Sequence, residues 1–437
     1  MSIDNEILKF IEELKYKHNI MPYAYLNDKT FEPGKSFVLY SSPYWDYNEL
    51  ISGIKSLLAG KWLVGGSDTH LFETKFAKKI GDKYAVFLNS GSSANLIMIN
   101  ALKIYYDWPD GSEILVSPVA FPTTISVIYQ NNLIPVFIDS EKSTYNIDLN
   151  LIEEKITNKT KAIFLSPVLG NSPDLDFILE ICVSHDIKLI LDGCDSLGSL
   201  WRYNNLNQYA VATSESFYPA HTISTIQGGM ISSSNEEIIL IARRLATWGR
   251  GCHCQSTQNL LPLGACGERF NNWLAPKYCE TVDHRYTFTE IGFNLIPPEL
   301  LGSIGLKQLD KLDEILDKRK CNHKIISELF MRYIKNIHLP EELEHSDTAW
   351  FGNFIICDNK ELKQKLVAYL ENSKIQTRSL FSGNLLLHPA YSFLDDHKKY
   401  PVANTVLDLT FFTGNPPHYG PNILNYVEDM LRKFDNE

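Results

Sequence analysis

The feature that most constrains the fold of this chain is the regular alternation of short apolar runs with helical patterns between Lys83 and Ile241. Runs such as VFL, ILV, VFI, AIFL and IKLILD are almost continuously apolar, as expected when helices cover both faces of a sheet. The pattern therefore predicts an α/β protein with a mostly parallel sheet. The predicted strands with the helices that follow them are Tyr84 to Leu88 with Ala94 to Tyr106, Ile114 to Val119 with Thr124 to Gln130, Pro135 to Ile138 with Leu149 to Ile156, Ala162 to Ser166 with Leu175 to Val183, and a last strand at Lys188 to Leu191.

The same reading divides the chain into three parts. Residues 1–40 form an N-terminal helical segment, residues 41–297 a large domain, and residues 298–437 a smaller C-terminal domain with mixed α+β character. Residues 249–297 are rich in Gly and Pro and predict a long loop that carries a site or a flap. Leu300 to Ile326 has a strong amphipathic helical pattern, which leads into the smaller domain.

Charge and targeting signals exclude several classes of function. The net charge of −11, without a basic block, argues against a nucleic-acid partner. The N-terminus is an amphipathic helix rather than a signal peptide, which predicts a cytoplasmic protein. The uncharged stretch from Ile114 to Ile138 contains prolines, so it predicts two buried strands rather than a membrane span. The 8 cysteines are too sparse for a disulfide scaffold and fit a reducing compartment.

Two strand ends carry candidate binding groups. Asn89 to Asn95 (NSGSSAN) follows a strand and opens a helix, where free backbone N–H groups and hydroxyls can bind an anion; an ordinary serine N-cap is the alternative interpretation. Asp192 ends the apolar run LILD, where a carboxylate can pair with a ring nitrogen or a metal, or simply cap the next loop.

A third segment, Ser216 to His221 (SFYPAH), is followed by Gly228 and Gly229, and it points to a family. It resembles the pyridoxal-phosphate site of the sugar aminotransferases of the DegT/DnrJ/EryC1/StrS superfamily, in which a lysine holds the cofactor covalently. Here His221 takes the place of that lysine, and no lysine occurs between Lys188 and Lys277. Aminotransfer by the usual route is therefore disfavoured. Within the superfamily this exchange marks the sugar-nucleotide 3-dehydrases.

The resemblance covers nearly the whole chain and rests on motifs in family order. These are LAGKWLVGG (58–66), NSGSSANL (89–96), AFPTT (120–124), LGNSPDL (169–175), LDGCDSLGS (191–199), SFYPAH (216–221), GFNLIPPELLGSIGLKQL (292–309) and TRSLFSGN (377–384). It implies an aspartate-aminotransferase-like (fold type I) three-layer large domain with a smaller α+β domain. It also implies a homodimer.

The implied cofactor is pyridoxamine 5'-phosphate or pyridoxal 5'-phosphate. His221 is the implied catalytic base, since a neutral imidazole can take a proton near neutral pH and cannot trap the cofactor as a lysine does. Asp192 would pair with the ring nitrogen and Phe121 would stack on the ring. The remaining implied contacts are Gly91, Ser92 and Ser216 to the phosphate, Asn294 to the phosphate of the partner subunit, and Asp195 and Asn171 to the cofactor's polar edge.

The cysteines extend the resemblance to the branch that binds a [2Fe-2S] cluster. That branch uses a cysteine beside the strand-end Asp, a Cys-x-Cys pair and a fourth cysteine after about seven intervening residues. The corresponding residues here are Cys194, Cys252, Cys254 and Cys266. The last interval holds eleven residues, Gln255 to Ala265, so about four are inserted. Four thiolates suit an iron–sulfur cluster or zinc, and plain structural thiols are the alternative.

The resemblance thus predicts an enzyme that removes the C3 hydroxyl of a nucleotide-linked 4-keto-6-deoxyhexose in 3,6-dideoxyhexose biosynthesis. An NADH-dependent flavin or iron–sulfur reductase would supply electrons through the cluster. A cluster-free, glutamate-dependent 3-dehydratase that resembles the GDP-4-keto-6-deoxymannose enzyme is the alternative, and a non-catalytic homologue is a third. The cysteines distinguish the first two, because the second needs none.

Overall fold

The computed structural model describes residues 2–18, 28–60, 63–252 and 270–435. The helices are α1 (Ile3–His18), α2 (Tyr47–Ala59), α3 (Ser67–Ile80), α4 (Gly91–Tyr105), α5 (Pro122–Gln130), α6 (Leu175–Ser184), α7 (Glu236–Ala246), α8 (Glu299–Asp310), α9 (Leu312–Tyr333), α10 (Lys360–Asn372), α11 (Val406–Leu409) and α12 (Pro421–Asp435). The strands are β1 (Tyr84–Leu88), β2 (Glu113–Val116), β3 (Ile134–Phe137), β4 (Thr160–Leu165), β5 (Lys188–Asp192), β6 (Leu200–Trp201), β7 (Asn204–Asn205), β8 (Ala212–Ser216), β9 (Gly229–Ser233), β10 (Ile337–His338), β11 (Ser346–Asp347), β12 (Gly352–Cys357), β13 (Thr377–Arg378) and β14 (Thr410–Gly414).

The main sheet has, within the described residues, seven strands in the order β1-β9-β8-β5-β4-β2-β3. Only β9 runs against the others, because it pairs antiparallel with both β1 and β8 while the remaining pairs are parallel. The predicted α/β architecture with a mostly parallel sheet is therefore confirmed. The carboxyl ends of six strands meet at one edge, where ligands bind in open α/β sheets.

Both faces of this sheet are buried, which explains the continuous apolar runs. Val86 and Leu88 of β1 pack with α4 and α7 on one face, whereas Ala85 and Phe87 pack with α3 and α8 on the other. The same division continues across the sheet, where Leu115 of β2 joins a third cluster with residues of α6. Since successive side chains of a strand point to opposite faces, a strand buried on both sides must be apolar throughout.

The helical pattern predicted for Leu300 to Ile326 forms two helices, α8 and α9, separated at Lys311. The Lys311 ammonium lies 2.9 Å from Asp46 and 2.8 Å from Glu49, so this junction is fixed to α2. Glycines allow α8 to approach α3 closely: a Cβ on Gly305 would meet the Phe72 ring at 2.7 Å.

A second sheet, β10-β12-β14-β13, forms the core of the C-terminal part with α9, α10 and α12. Phe31 and Val38, which come before the large sheet in the sequence, pack into this core. The boundaries at residues 40 and 297 stay predictions. A small third sheet, β11-β6-β7, connects residues 346–347 to the main domain. Among the described helices, none combines the length and apolarity that a membrane span requires.

Two predicted segments differ in detail from what forms. Leu149 to Ile156 is not one α-helix but two 3-10 turns, Leu149–Leu151 and Glu153–Lys155, of which only the first is capped by the Asp148 side chain. The helix between β2 and β3, α5, begins at Pro122, two residues before the predicted start at Thr124. Proline is well suited to the first turn of a helix, because the N–H that it lacks would have no partner within the helix. The described parts of 249–297 contain the short 3-10 turn His284–Tyr286 and an isolated bridge between Arg250 and Phe288, and the bounds of the predicted loop stay a prediction.

Candidate active site

A cavity of about 430 Å³ opens at the carboxyl edge of the main sheet. Its large-domain wall comes from the segments that follow β1, β4, β5 and β8, and its other wall from residues next to β12, β13 and β14. The predicted site residues that line it are Gly91, Ser92, Phe121, Asp192, Cys194, Asp195, Ser216 and His221. Residues far apart in sequence are thus brought together where the topology of the sheet predicts a ligand.

Asp192 lies at the bottom of this cavity as the last residue of β5 and is 4% exposed. Its Oδ2 accepts hydrogen bonds from Asn95 Nδ2 at 2.8 Å and Thr124 Oγ1 at 2.7 Å. The Asn95 amide is itself oriented by Ser214, which donates to its carbonyl oxygen. In contrast, the backbone hydrogen bond that Oδ1 accepts within the described part of the chain, from the Cys194 N–H, is longer at 3.3 Å. One carboxylate oxygen is therefore fixed, and the other remains able to accept a hydrogen bond from a bound group.

The start of α4 lies in the cavity at the place where the sequence predicts an anion cradle. Ser90 caps the helix through its hydroxyl, which accepts from Ser93 N at 3.1 Å. This leaves the N–H groups of Gly91 and Ser92 free of the cap, next to the Ser216 hydroxyl. A Cβ on Gly91 would lie 2.6 Å from the Ser216 Cβ, so only glycine permits this approach. The N-cap interpretation is therefore correct for Ser90, and it is compatible with an anion site at its neighbours, which stays a prediction.

His221 stands on the wall of the cavity with its side chain 16% exposed. Its Nδ1 lies 3.4 Å from Asp195 Oδ1 and has no hydrogen-bond partner of proper geometry among the described residues. The Phe351 ring packs beside the imidazole, with ring centroids 5.4 Å apart. With Nδ1 turned toward Asp195, Nε2 is the nitrogen available for proton transfer.

A cluster of acids surrounds Cys194. Burial, followed by the charges of Asp192 and Glu215, raises the pKa of the Cys194 thiol well above its usual range. Burial, and then Asp192 and Asp195, likewise raise the pKa of the Glu215 carboxyl far above its usual range. Glu215 Oε2 is buried and lacks a hydrogen-bond partner within the described part of the chain. This raised pKa favours the neutral form of the Glu215 carboxyl and so limits the negative charge beside Asp192.

Three cofactor residues implied by the resemblance lie in different surroundings. Phe121 lines the cavity and is 52% exposed, so its ring face is available for stacking. Asn171 is buried outside the cavity lining, where its Nδ2 donates to the Glu341 carbonyl at 2.8 Å. Asn294 is exposed beside Thr247 and also lies outside the lining. The roles of Asn171 and Asn294 stay predictions.

The predicted cluster ligands fall partly outside the described residues. Cys194 lines the cavity, and Cys252 is half-buried at the end of a described segment. Cys254 and Cys266 lie within 253–269, which the structure does not describe. In the ranges that it does describe, no three His, Cys, Asp or Glu side chains are grouped as a metal site. The [2Fe-2S] assignment therefore stays a prediction.

Several lining residues were not found from the sequence. Arg378, the last residue of β13, has its guanidinium 3.9 Å from the centroid of the Tyr40 ring, and both residues line the cavity. Arg378 lies within the motif TRSLFSGN, which could have indicated it. Asn95 lies within NSGSSANL, but nothing in the sequence indicates that its amide reaches Asp192.

Comparison with known proteins identifies the family. The model of the DegT/DnrJ/EryC1/StrS aminotransferase family matches residues 46–431. The chain belongs to this family. The lipopolysaccharide biosynthesis protein RfbH of Salmonella typhimurium is 33% identical over 417 residues, which cover 94% of each chain. The dTDP-4-dehydro-2,6-dideoxy-D-glucose 3-dehydratase of Saccharopolyspora spinosa is 33% identical over 420 residues, 93% of this chain and 88% of that protein.

Solved structures agree with this assignment. A GDP-4-keto-6-deoxymannose-3-dehydratase variant with bound GDP-perosamine matches with a TM-score of 0.78 at 29% identity, covering 91% of this chain and 100% of that one. The E. coli enzyme with bound hydrated PLP matches with a TM-score of 0.77 at 28% identity, covering 91% and 99%. The predicted superfamily, the fold type and an enzyme related to sugar-nucleotide 3-dehydratases are confirmed, and the PLP-bound relative supports a cofactor of that type.

Proposed function

We propose that this enzyme removes the C3 hydroxyl of a nucleotide-linked 4-keto-6-deoxyhexose with the help of pyridoxamine phosphate. The observation that carries the proposal is the position of His221, which occupies the cavity wall where the family's lysine is expected, within reach of Asp195. An imidazole can exchange protons there but cannot bind the cofactor covalently as a lysine does. This favours elimination over aminotransfer.

The cavity suits the cofactor. The Oδ1 of Asp192, which accepts one long hydrogen bond from the Cys194 N–H, would also accept the N–H of a protonated pyridine ring, and the face of Phe121 would cover the ring. The free N–H groups at Gly91 and Ser92, with the Ser216 hydroxyl, would hold a phosphate. Once bound, the cofactor supplies an amine that condenses with the sugar ketone and a ring that accepts electrons.

The protein's own groups then orient and move protons. His221 would take a proton through Nε2 from the carbon next to the cofactor amine and return it to the departing C3 hydroxyl, which leaves as water. Asp195 would stabilise the protonated imidazole through Nδ1, and Phe351 would keep water from its other side. Arg378 is the one arginine or lysine in the described lining, and it would attract the anionic diphosphate of the substrate.

We further propose that Cys194, Cys252, Cys254 and Cys266 bind a [2Fe-2S] cluster. Loss of the hydroxyl as water and formation of the 3-deoxy sugar consume two electrons and two protons. A separate NADH-dependent flavin or iron–sulfur reductase would oxidise NADH and pass these electrons singly to the cluster. Cys194 supports this route, because it lines the cofactor cavity and would bring the cluster to the site.

A homodimer is part of the proposal. Large apolar side chains lie exposed at or near the cavity: Phe121 is 52%, Tyr218 56% and Ile226 50% exposed. Ile291, three residues before Asn294, is 97% exposed. A second copy that covers this surface would bury it and would bring the partner's Asn294 toward the phosphate, as the resemblance implies.

Anaerobic purification tests the proposal. The expected result is two iron and two sulfide per chain in a [2Fe-2S] centre that gives an EPR signal after reduction with dithionite, and turnover that requires NADH and a reductase. Turnover with glutamate alone, in protein that lacks iron, would establish the cluster-free dehydratase instead. Failure to bind either pyridoxamine phosphate or pyridoxal phosphate would contradict both dehydratase proposals and favour a non-catalytic homologue.

A further inference from the structure

Helix α9 places a buried arginine directly beneath the segment that carries His221. The Arg319 side chain is 1% exposed, although it carries a guanidinium group. This group donates to three backbone carbonyls: those of Phe351 at 3.2 Å, Trp350 at 3.4 Å and His221 at 3.4 Å. It therefore joins three parts of the chain that meet at the wall of the cavity.

The surroundings of Arg319 are unusual for a buried charge. Its Nε has no hydrogen-bond partner, and no carboxylate lies within 4.0 Å of the guanidinium, in the part of the chain that the structure describes. Asp195 is the carboxylate whose charge acts on it, from a greater distance. Burial lowers the pKa of the Arg319 guanidinium to about 10, so it remains charged at neutral pH. Burying a charge without a direct counterion is unfavourable, and the three carbonyls that Arg319 binds offset only part of this cost.

The neighbours of Arg319 on α9 show what a purely structural role looks like. Asn322 Nδ2 donates to the Pro416 carbonyl at 3.1 Å, and His323 Nδ1 lies 3.0 Å from Asn353 Oδ1. His323 also stacks on Trp350 with ring centroids 4.4 Å apart. These contacts already fix α9 to the segments around β12 and β14. Arg319 alone among the three reaches the His221 backbone, so its distinctive contact is with the catalytic segment.

We propose that Arg319 is a positioning residue for His221. By holding the carbonyls of His221 and Phe351 together, it fixes the imidazole between the Phe351 ring and Asp195, with Nε2 directed at the cavity. This inference rests on the proposed role of His221 in proton transfer. It assigns to Arg319 no contact with substrate or cofactor, since Arg319 is outside the cavity lining.

The test compares Arg319→Met, Arg319→Lys and a control, Arg332→Gln. Arg332 lies on the same helix, but its side chain is 59% exposed and pairs at 3.7 Å with Glu428. In Arg319→Met we expect kcat to fall by roughly tenfold to a hundredfold, because small displacements of a catalytic group cost this much, while KM for the nucleotide sugar stays within twofold. Arg319→Lys keeps the charge with one donor centre, so its kcat should lie between those of Arg319→Met and the wild type.

A second readout does not depend on turnover. In cofactor-free protein labelled at histidine, the NMR signal assigned to His221 by comparison with His221→Asn should shift or broaden in both Arg319 variants and stay unchanged in Arg332→Gln. If Arg319→Met does not fold, Arg319→Lys carries the test, with kcat expected at least threefold below wild type at unchanged KM. Wild-type kcat and an unchanged His221 signal in Arg319→Lys and in any folded Arg319→Met would overturn the inference. Full activity of His221→Asn would instead refute the proposed function itself.

Discussion

Replacing Asp192 with asparagine tests the role proposed for the negative charge of this carboxylate in the cavity. In the wild type, Oδ2 accepts hydrogen bonds from Asn95 and Thr124. The carbonyl oxygen of the new amide must therefore take the Oδ2 position, because an NH2 group in that position would face two hydrogen-bond donors. The NH2 group must then occupy the Oδ1 position and point toward the cavity. In that position the NH2 group would face the N–H of a protonated ring nitrogen, and two donors cannot form a hydrogen bond with each other. The substitution therefore removes one charged hydrogen bond and opposes protonation of the cofactor ring.

A hydrogen bond to a charged group is worth about 1.5–3 kcal/mol, which corresponds to roughly tenfold to a hundredfold in affinity. We expect pyridoxamine phosphate to bind Asp192→Asn more weakly by this factor, as measured by fluorescence titration. Turnover should fall further, by at least about a hundredfold, since the charge acts most strongly on the reacting state. Asp186→Asn, which changes an exposed acid paired with Lys188, is the control. Affinity and turnover of Asp192→Asn within threefold of wild type would refute the assigned role.

Three further perturbations address the other groups. His221→Lys should become covalently attached to pyridoxal phosphate, which mass spectrometry would show as an added mass after borohydride reduction, and it should lose dehydration activity. The control His338→Lys, at an exposed position, should gain no mass. A His221→Lys protein that is unmodified and fully active would contradict the assignment. Serine at any one of the predicted cluster ligands, Cys194, Cys252, Cys254 and Cys266, should lower the iron content without preventing cofactor binding. As controls, serine at the buried Cys182 or Cys357 should leave the iron content unchanged. Iron that is retained in Cys266→Ser but lost in Cys279→Ser would show that the fourth ligand is misassigned. Burial lowers the pKa of His323 to about 4, so the unfolded chain binds more protons between about pH 6.5 and 4 and stability falls as the pH drops through that window. His323→Gln should flatten this loss by at most about 1.4 kcal/mol per pH unit in urea titrations, and a slope unchanged from that of His338→Gln would count against it.

The fold could be predicted from the sequence wherever burial on both faces leaves a continuous apolar run. β1 begins and ends where the sequence places it, and β5 differs only by including Asp192. β9 was not predicted, because its sequence, GMISS, carries small polar residues that are buried only through its antiparallel pairing with β1 and β8. The turns at Leu149–Leu151 and Glu153–Lys155 likewise have a helical composition, but Asp148 caps only a single short turn.

The candidate site was predictable where a motif lies at a strand end, and less so where residues meet through tertiary contacts. Asp192 and Ser216 follow from position and resemblance, and both line the cavity. Thr124 and Asn95 share one oxygen of Asp192 across 68 and 97 residues of sequence, and no local pattern specifies such contacts. Arg319 was missed for a related reason: on an amphipathic helix an arginine is expected to face solvent.

The position of β9 between β1 and β8 has a consequence for the order in which this protein can assemble. The proposed cradle combines Gly91 and Ser92, which follow β1, with Ser216 at the end of β8, and these two strands are not neighbours in the sheet. The strand between them is β9, the last strand of this sheet to be synthesised. Gly229 at its start lies so close to Ser90 that a Cβ would come within 2.2 Å of the Ser90 carbonyl oxygen. A nascent chain that ends before Gly229 can pair β2, β3, β4, β5 and β8, but β1 then has no partner in the sheet. The proposed phosphate cradle is thus completed only after more than half of the chain has been synthesised, and a chain stalled earlier lacks it.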